Sequence, residues 1–109
     1  MIIILTEKAT KEDLKSATKE FGDYIKIVAD LEKEIVAIGE KFHADAEKVL
    51  IENGSEQKNL WGGGLDLHSG RVDFQAIINI RPNQNNDSME ILDPEIRKVF
   101  QQISEKFLK

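Results

Sequence analysis

The stretch FHADAEKVLIENGS, from Phe42 to Ser55, sets His43, Asp45 and Glu47 at every second position. Imidazole and carboxylate groups ligate metals and carry protons, so this run is the first place to look for chemistry. On a helix, residues two apart point about 200° from each other, so His43 and Glu47 share a face and Asp45 looks away. On an extended chain all three lie on one side. The run straddles a helix start, where Asp45 and Glu47 also suit the helix dipole, and both geometries stay open. A metal site needs a third and usually a fourth ligand, for which Asp66, His68 and Asp73 are available. With 2 histidines and no cysteine in the chain, no stoichiometric metal and no cofactor are expected.

A second constellation is INIRP, Ile78 to Pro82, with its neighbours. As a strand closed by Pro82, it puts Ile78 and Ile80 on one face and Asn79 and Arg81 on the other. The Arg81 fork, with Asn79 and the amides of Gln84 and Asn86, suits two-point binding of a carboxylate or phosphate. The same arginine could instead pair with a structural acid, Asp45 or Glu47, because an unpaired buried guanidinium is costly. Trp61 is the single tryptophan, for core packing or as a ligand platform. Gly62-Gly63-Gly64 lacks the Lys-Ser/Thr and the following helix of a phosphate loop, and predicts a bulge or a mobile hairpin arm. No Ser-His-Asp order and no carboxylate dyad stands out.

The elements that position these residues follow from periodicity and punctuation. Met1–Leu5 is a β-branched run whose continuous apolarity predicts an inner strand. Thr10 and Asp13 form a capping box for a helix with stripe Leu14, Ala17 and Phe21, ended by Gly22. The segment Tyr24–Phe42 fits either one long helix or a hairpin. The clusters Ile25-Ile27-Val28 and Ile35-Val36-Ile38, with Gly39, favour strands at about Tyr24–Asp30 and Glu34–Ile38. A helix runs from about Phe42 to Asn53-Gly54. Leu65–Leu67 and Val72–Phe74 alternate around a Ser69-Gly70 turn. Asp93 caps and Pro94 opens a last helix with stripe Ile96, Val99, Phe100, Ile103 and Phe107. The order β-α-β-β-α-β-β-α predicts a single α+β domain over residues 1–109, helices packed on one face of a mainly antiparallel sheet.

The chain has 109 residues with 15 Lys plus Arg against 20 Asp plus Glu, a net charge of −5. Its lysines are scattered among acids, which argues against nucleic-acid binding. MIIIL is too short to span a membrane or serve as a signal peptide, and the cysteine-free composition fits the cytoplasm. The motifs HADAE, NGS, LW, INIRP with Gln84 and Asn86, and DPEIR resemble an uncharacterised family of short prokaryotic proteins, a domain of unknown function. That resemblance spans nearly the whole chain and implies a shared fold without a chemistry; WGGGLDL departs from it by its extra glycine.

The expectation is therefore a binding or protein-interaction module with no assigned activity. Its pocket would be lined by His43, Asp45, Glu47, Trp61, Asn79 and Arg81 and would accept a small anionic ligand. A homodimer burying sheet or hairpin surface is expected. The alternative is a small hydrolase-type enzyme, metal-assisted or not, using His43, Asp45 and Glu47 with Arg81.

Overall fold

The β-branched clusters of Tyr24–Ile38 fold as a hairpin in a computed structural model that describes residues 1–19 and 21–109. The turn is built by Asp30, a fully buried carboxylate. Its Oδ1 accepts from the Glu32 and Lys33 amides at 3.0 and 2.9 Å, and its Oδ2 accepts from the Ser55 hydroxyl at 2.6 Å. An acid that satisfies backbone donors locally offers the chain a turn in place of a helix.

Five strands make one antiparallel sheet: β1 Ile3–Leu5, β2 Tyr24–Asp30, β3 Ile35–Ile38, β4 Leu60–Asp66 and β5 Val72–Asp73. Their spatial order is β1-β3-β2-β4-β5. The helices are α1 Lys11–Ala17, α2 His43–Glu52 and α3 Pro94–Leu108, and the element order is the expected one. The finer expectation of helices on one face gives way to helices on both. Ile25, Ile27 and Ala29 of β2 pack with Ala17 of α1 and with Phe100, Ile103 and Phe107 of α3. Val28, from the alternate row, packs with Ala46 and Leu50 of α2. β3, Ile35–Ile38, is apolar in both rows and so requires a cover on both sides.

Other expectations are corrected in detail. β1 lies at the sheet edge, not inside, with Ile2, Ile3 and Ile4 only half-buried. The capping box of Thr10 and Asp13 is present, but α1 stops at Ala17. There the Thr18 hydroxyl bonds the Leu14 and Lys15 carbonyls, leaving Phe21 and Gly22 in a following turn. Gly62–Gly64 forms neither a bulge nor a loose arm: β4 pairs with β2 without a break from Tyr24↔Asp66 to Asp30↔Leu60.

INIRP is not a strand. Ile77–Asn79 and Pro82–Gln84 are single 3-10 turns, with Ile77 73% and Ile80 46% exposed. The reason is the side chain of Asn79, which is fully buried. Its amide accepts from the Gly62 N–H and donates to the Gly62 carbonyl, both at 2.9 Å. A side chain thus supplies the two bonds that a neighbouring strand's backbone would have made.

Candidate functional site

Two polar constellations flank β4. In the first, Arg81 is 6% exposed and stacks 4.7 Å over Trp61, itself buried in the core. Its Nε donates to Ile78 O at 3.0 Å and its Nη1 to Gln57 O at 2.9 Å, with Gln84 Oε1 at 3.4 Å. Its Nη2 donates to Leu60 O and faces Glu47 Oε2 at 3.5 Å. A guanidinium has five N–H groups, and here each has an acceptor inside the chain. Burial pushes its pKa down and Glu47 pushes back. Arg81 therefore ties α2, the segment before β4 and the 78–84 turns together, and offers no donor to a ligand. Asn86 does similar work beside it, donating to the carbonyls of Asn79 and Glu90 at 2.8 Å each.

The second constellation is a cleft of about 700 Å³ between the start of α2 and residues 73–78. Its apolar wall is Phe42, Ala44, Ala76, Ile77, Ile78 and Met89, and its polar groups are Tyr24, Lys26, His43, Asp73 and Gln75. Tyr24 and Lys26 alternate with buried Ile25 on β2, so both point to the α2 side. The Tyr24 hydroxyl donates to Asp73 Oδ2 at 2.6 Å; burial and that carboxylate push its pKa up. Lys26 Nζ donates to Lys41 O at 2.6 Å and lies 4.7 Å from the Phe21 ring and 5.6 Å from that of Phe42.

His43 is the first residue of α2, and its Nε2 donates to Gly63 O at 2.7 Å. Burial pushes its pKa down, so the ring is neutral near pH 7. With the proton fixed on Nε2, Nδ1 keeps its lone pair. The glycines explain the close seating. A Cβ on Gly62 would stand 3.2 Å from His43 Cδ2, and one on Gly64 would stand 2.0 Å from the Tyr24 hydroxyl.

The residues expected to line one pocket thus separate. Glu47, Trp61 and Arg81 meet at one place, Asn79 is buried against Gly62, His43 enters the cleft, and Asp45 is exposed. Of the further metal candidates, Asp66 bonds the His68 and Ser69 amides of its own turn and Asp73 holds Tyr24. Among the described residues, no group of three or more His, Asp or Glu side chains is placed to hold a metal ion.

Sequence reading missed Tyr24 and Lys26 as cleft residues, since their meeting with His43 and Asp73 depends on the register of β2, β4 and β5. It also missed Glu40, 3% exposed, with neither carboxyl oxygen hydrogen-bonded within the described residues. Desolvation raises its pKa to about 8, against the pull of Lys26.

Residues 3–107 match the family described as protein of unknown function (DUF5674). The chain belongs to that family. No curated protein and no solved structure matches it. Among the described residues, no helix is long and apolar enough to cross a membrane.

Proposed function

We propose that this DUF5674 protein is a binding module for a small, largely apolar anion seated in the cleft of Lys26 and His43. The observation that carries this is the cleft's make-up: apolar walls with a few convergent polar groups at the base, the usual character of ligand sites. Lys26 supplies the positive charge. One of its N–H groups goes to Lys41 O, and an ammonium has others to offer. Nδ1 of neutral His43, an acceptor, suits a donor group on the ligand's body and not its anionic end, and the exposed rims of Phe42 and Met89, 59% and 44% exposed, extend the apolar surface. The cysteine-free sequence supports a reducing, cytoplasmic setting.

Anilinonaphthalene sulfonate, an apolar anion, is the probe. Saturable fluorescence enhancement is expected, lost in Ala44→Trp, which fills the cleft from an exposed position, and weakened about tenfold in Lys26→Met, consistent with loss of one charge-assisted contact. Equal binding by the parent and Ala44→Trp would exclude the cleft.

One observation favours a second reading, general-base catalysis at the same place. His43 is neutral, its tautomer is fixed by Gly63 O, and its Nδ1 is unoccupied by any bond within the described residues. A hydrolase of this kind would use His43 without Asp45, Glu47 or Arg81. Ester hydrolysis that disappears in His43→Gln while the fold is retained would support it; unchanged hydrolysis would end it.

A further inference from the structure

β1 is an edge strand with the sequence of an inner one. Met1-Ile2-Ile3-Ile4-Leu5 holds no charged side chain and no proline, two of the features with which edge strands are guarded against pairing. At the opposite edge, the segment just after β5 bonds another part of the chain. There Gln75 bridges Glu90, the Ala76 amide donates to Met89 O at 3.1 Å, and the Ile91 amide donates to Phe74 O at 3.0 Å. Along β1 the backbone pairing within the described residues is with β3 alone.

Both core layers also stop unfinished at this strand. Ile2 and Ile4 are half-buried against the Val28, Ala37 and Leu50 cluster on one face, and Ile3 is half-buried against the larger cluster on the other. We propose that β1 pairs antiparallel with β1 of a second copy of this chain, so that two sheets become one across a two-fold axis.

Self-pairing fits for two reasons. An antiparallel two-fold at Ile4 sets Ile4 against Ile4 and Ile3 against Leu5, so every side chain keeps the face it already occupies. Each half-open isoleucine row is then continued by an identical row, which is the self-complementarity that an isologous interface demands. Charge points the same way. A net charge of −5 keeps copies apart over most of the surface, whereas the side chains of this strip are uncharged. β1 is only 3 residues long, so the interface is small and a dissociation constant of roughly 10–100 µM is expected.

The test is sedimentation velocity from about 5 µM to about 1 mM, a range that spans that constant. The mass is expected to rise from the monomer's 12.4 kDa toward twice that value. Those β1 amides that face away from β3 should exchange more slowly as concentration rises. Ile4→Lys and Ile4→Glu, which place like charges opposite each other, should each weaken association at least about tenfold, and mixing the two should restore it. A constant monomer mass, or a dimer in which β1 exchange does not change with concentration, overturns the assignment. The exchange measurement on the unaltered protein decides the matter even where a variant fails to fold.

Discussion

The side-chain amide of Asn79 bonds both the N–H and the carbonyl of Gly62, each at 2.9 Å, and so stands where the backbone of a further strand would be. Its Nδ2 also lies 3.0 Å from Met89 O and 3.2 Å from Phe74 O. One buried amide thereby joins β4 to the two segments that form the outer wall of the cleft. Asn79→Ala leaves the Gly62 groups without partners and should cost about 2–4 kcal/mol, read from urea denaturation. A loss below about 0.5 kcal/mol, the range of an ordinary surface substitution, would mean that the backbone holds this region without it.

Arg81→Ala should cost about 1–3 kcal/mol, because buried carbonyls and Glu47 lose their donor. Arg81→Lys should lose nearly as much, since an ammonium cannot reproduce the fork that reaches Ile78, Gln57 and Leu60 together. Full stability of the lysine variant would show that charge alone suffices.

These two residues also mark what could be read from the chain. Local punctuation was legible: Asp93 caps α3 by accepting from the Glu95 amide at 2.8 Å, and Pro94 opens the helix. The need of Arg81 for an acid was legible too, from the cost of burying it alone, and Glu47 is the acid it meets. The 3-10 turn at Asn79 was not, because its apolar-polar alternation is that of a strand and the partner, Gly62, is 17 residues away. The cleft was hidden for the same kind of reason. Tyr24 and Lys26 come from β2, His43 from the start of α2 and Asp73 from β5, and only sheet register brings these three elements together.

Gly63 and Gly22 should respond differently to alanine. At Gly63 the added Cβ would lie 2.2 Å from the Asp73 carbonyl oxygen and 2.8 Å from the Phe100 ring, so backbone must move. Gly63→Ala should cost about 3 kcal/mol or more, or abolish folding. Gly22 has φ +63° with open space around it, so Gly22→Ala should cost only about 1 kcal/mol. Thermal denaturation of the pair, with Gly22→Ala the more stable, checks the contrast.

Glu40 should make the fold less stable as pH rises. Its folded pKa of about 8 lies above the ordinary value of 4.5, so between these limits the folded state holds a proton that the unfolded state releases. The stabilisation is full below pH 4.5, falls as pH passes through 8, and is constant above. His43 acts oppositely, because its lowered pKa adds stability as pH rises toward the usual imidazole value. Comparing Tm of the parent with Glu40→Gln isolates the carboxyl. The variant's advantage should grow between pH 5 and pH 9, roughly by 5 °C or more. A constant difference would contradict burial of an ionisable Glu40.

The most direct test of the cleft as the binding site, with Arg81 as a structural tie, is chemical-shift mapping with octanoate, a carboxylate on an apolar chain. Saturable shifts are expected at Lys26, His43, Ile78 and Met89, with Arg81 and Gln84 unmoved. Saturable shifts centred on Arg81 and Gln84, or no saturable shift at the cleft, would contradict it.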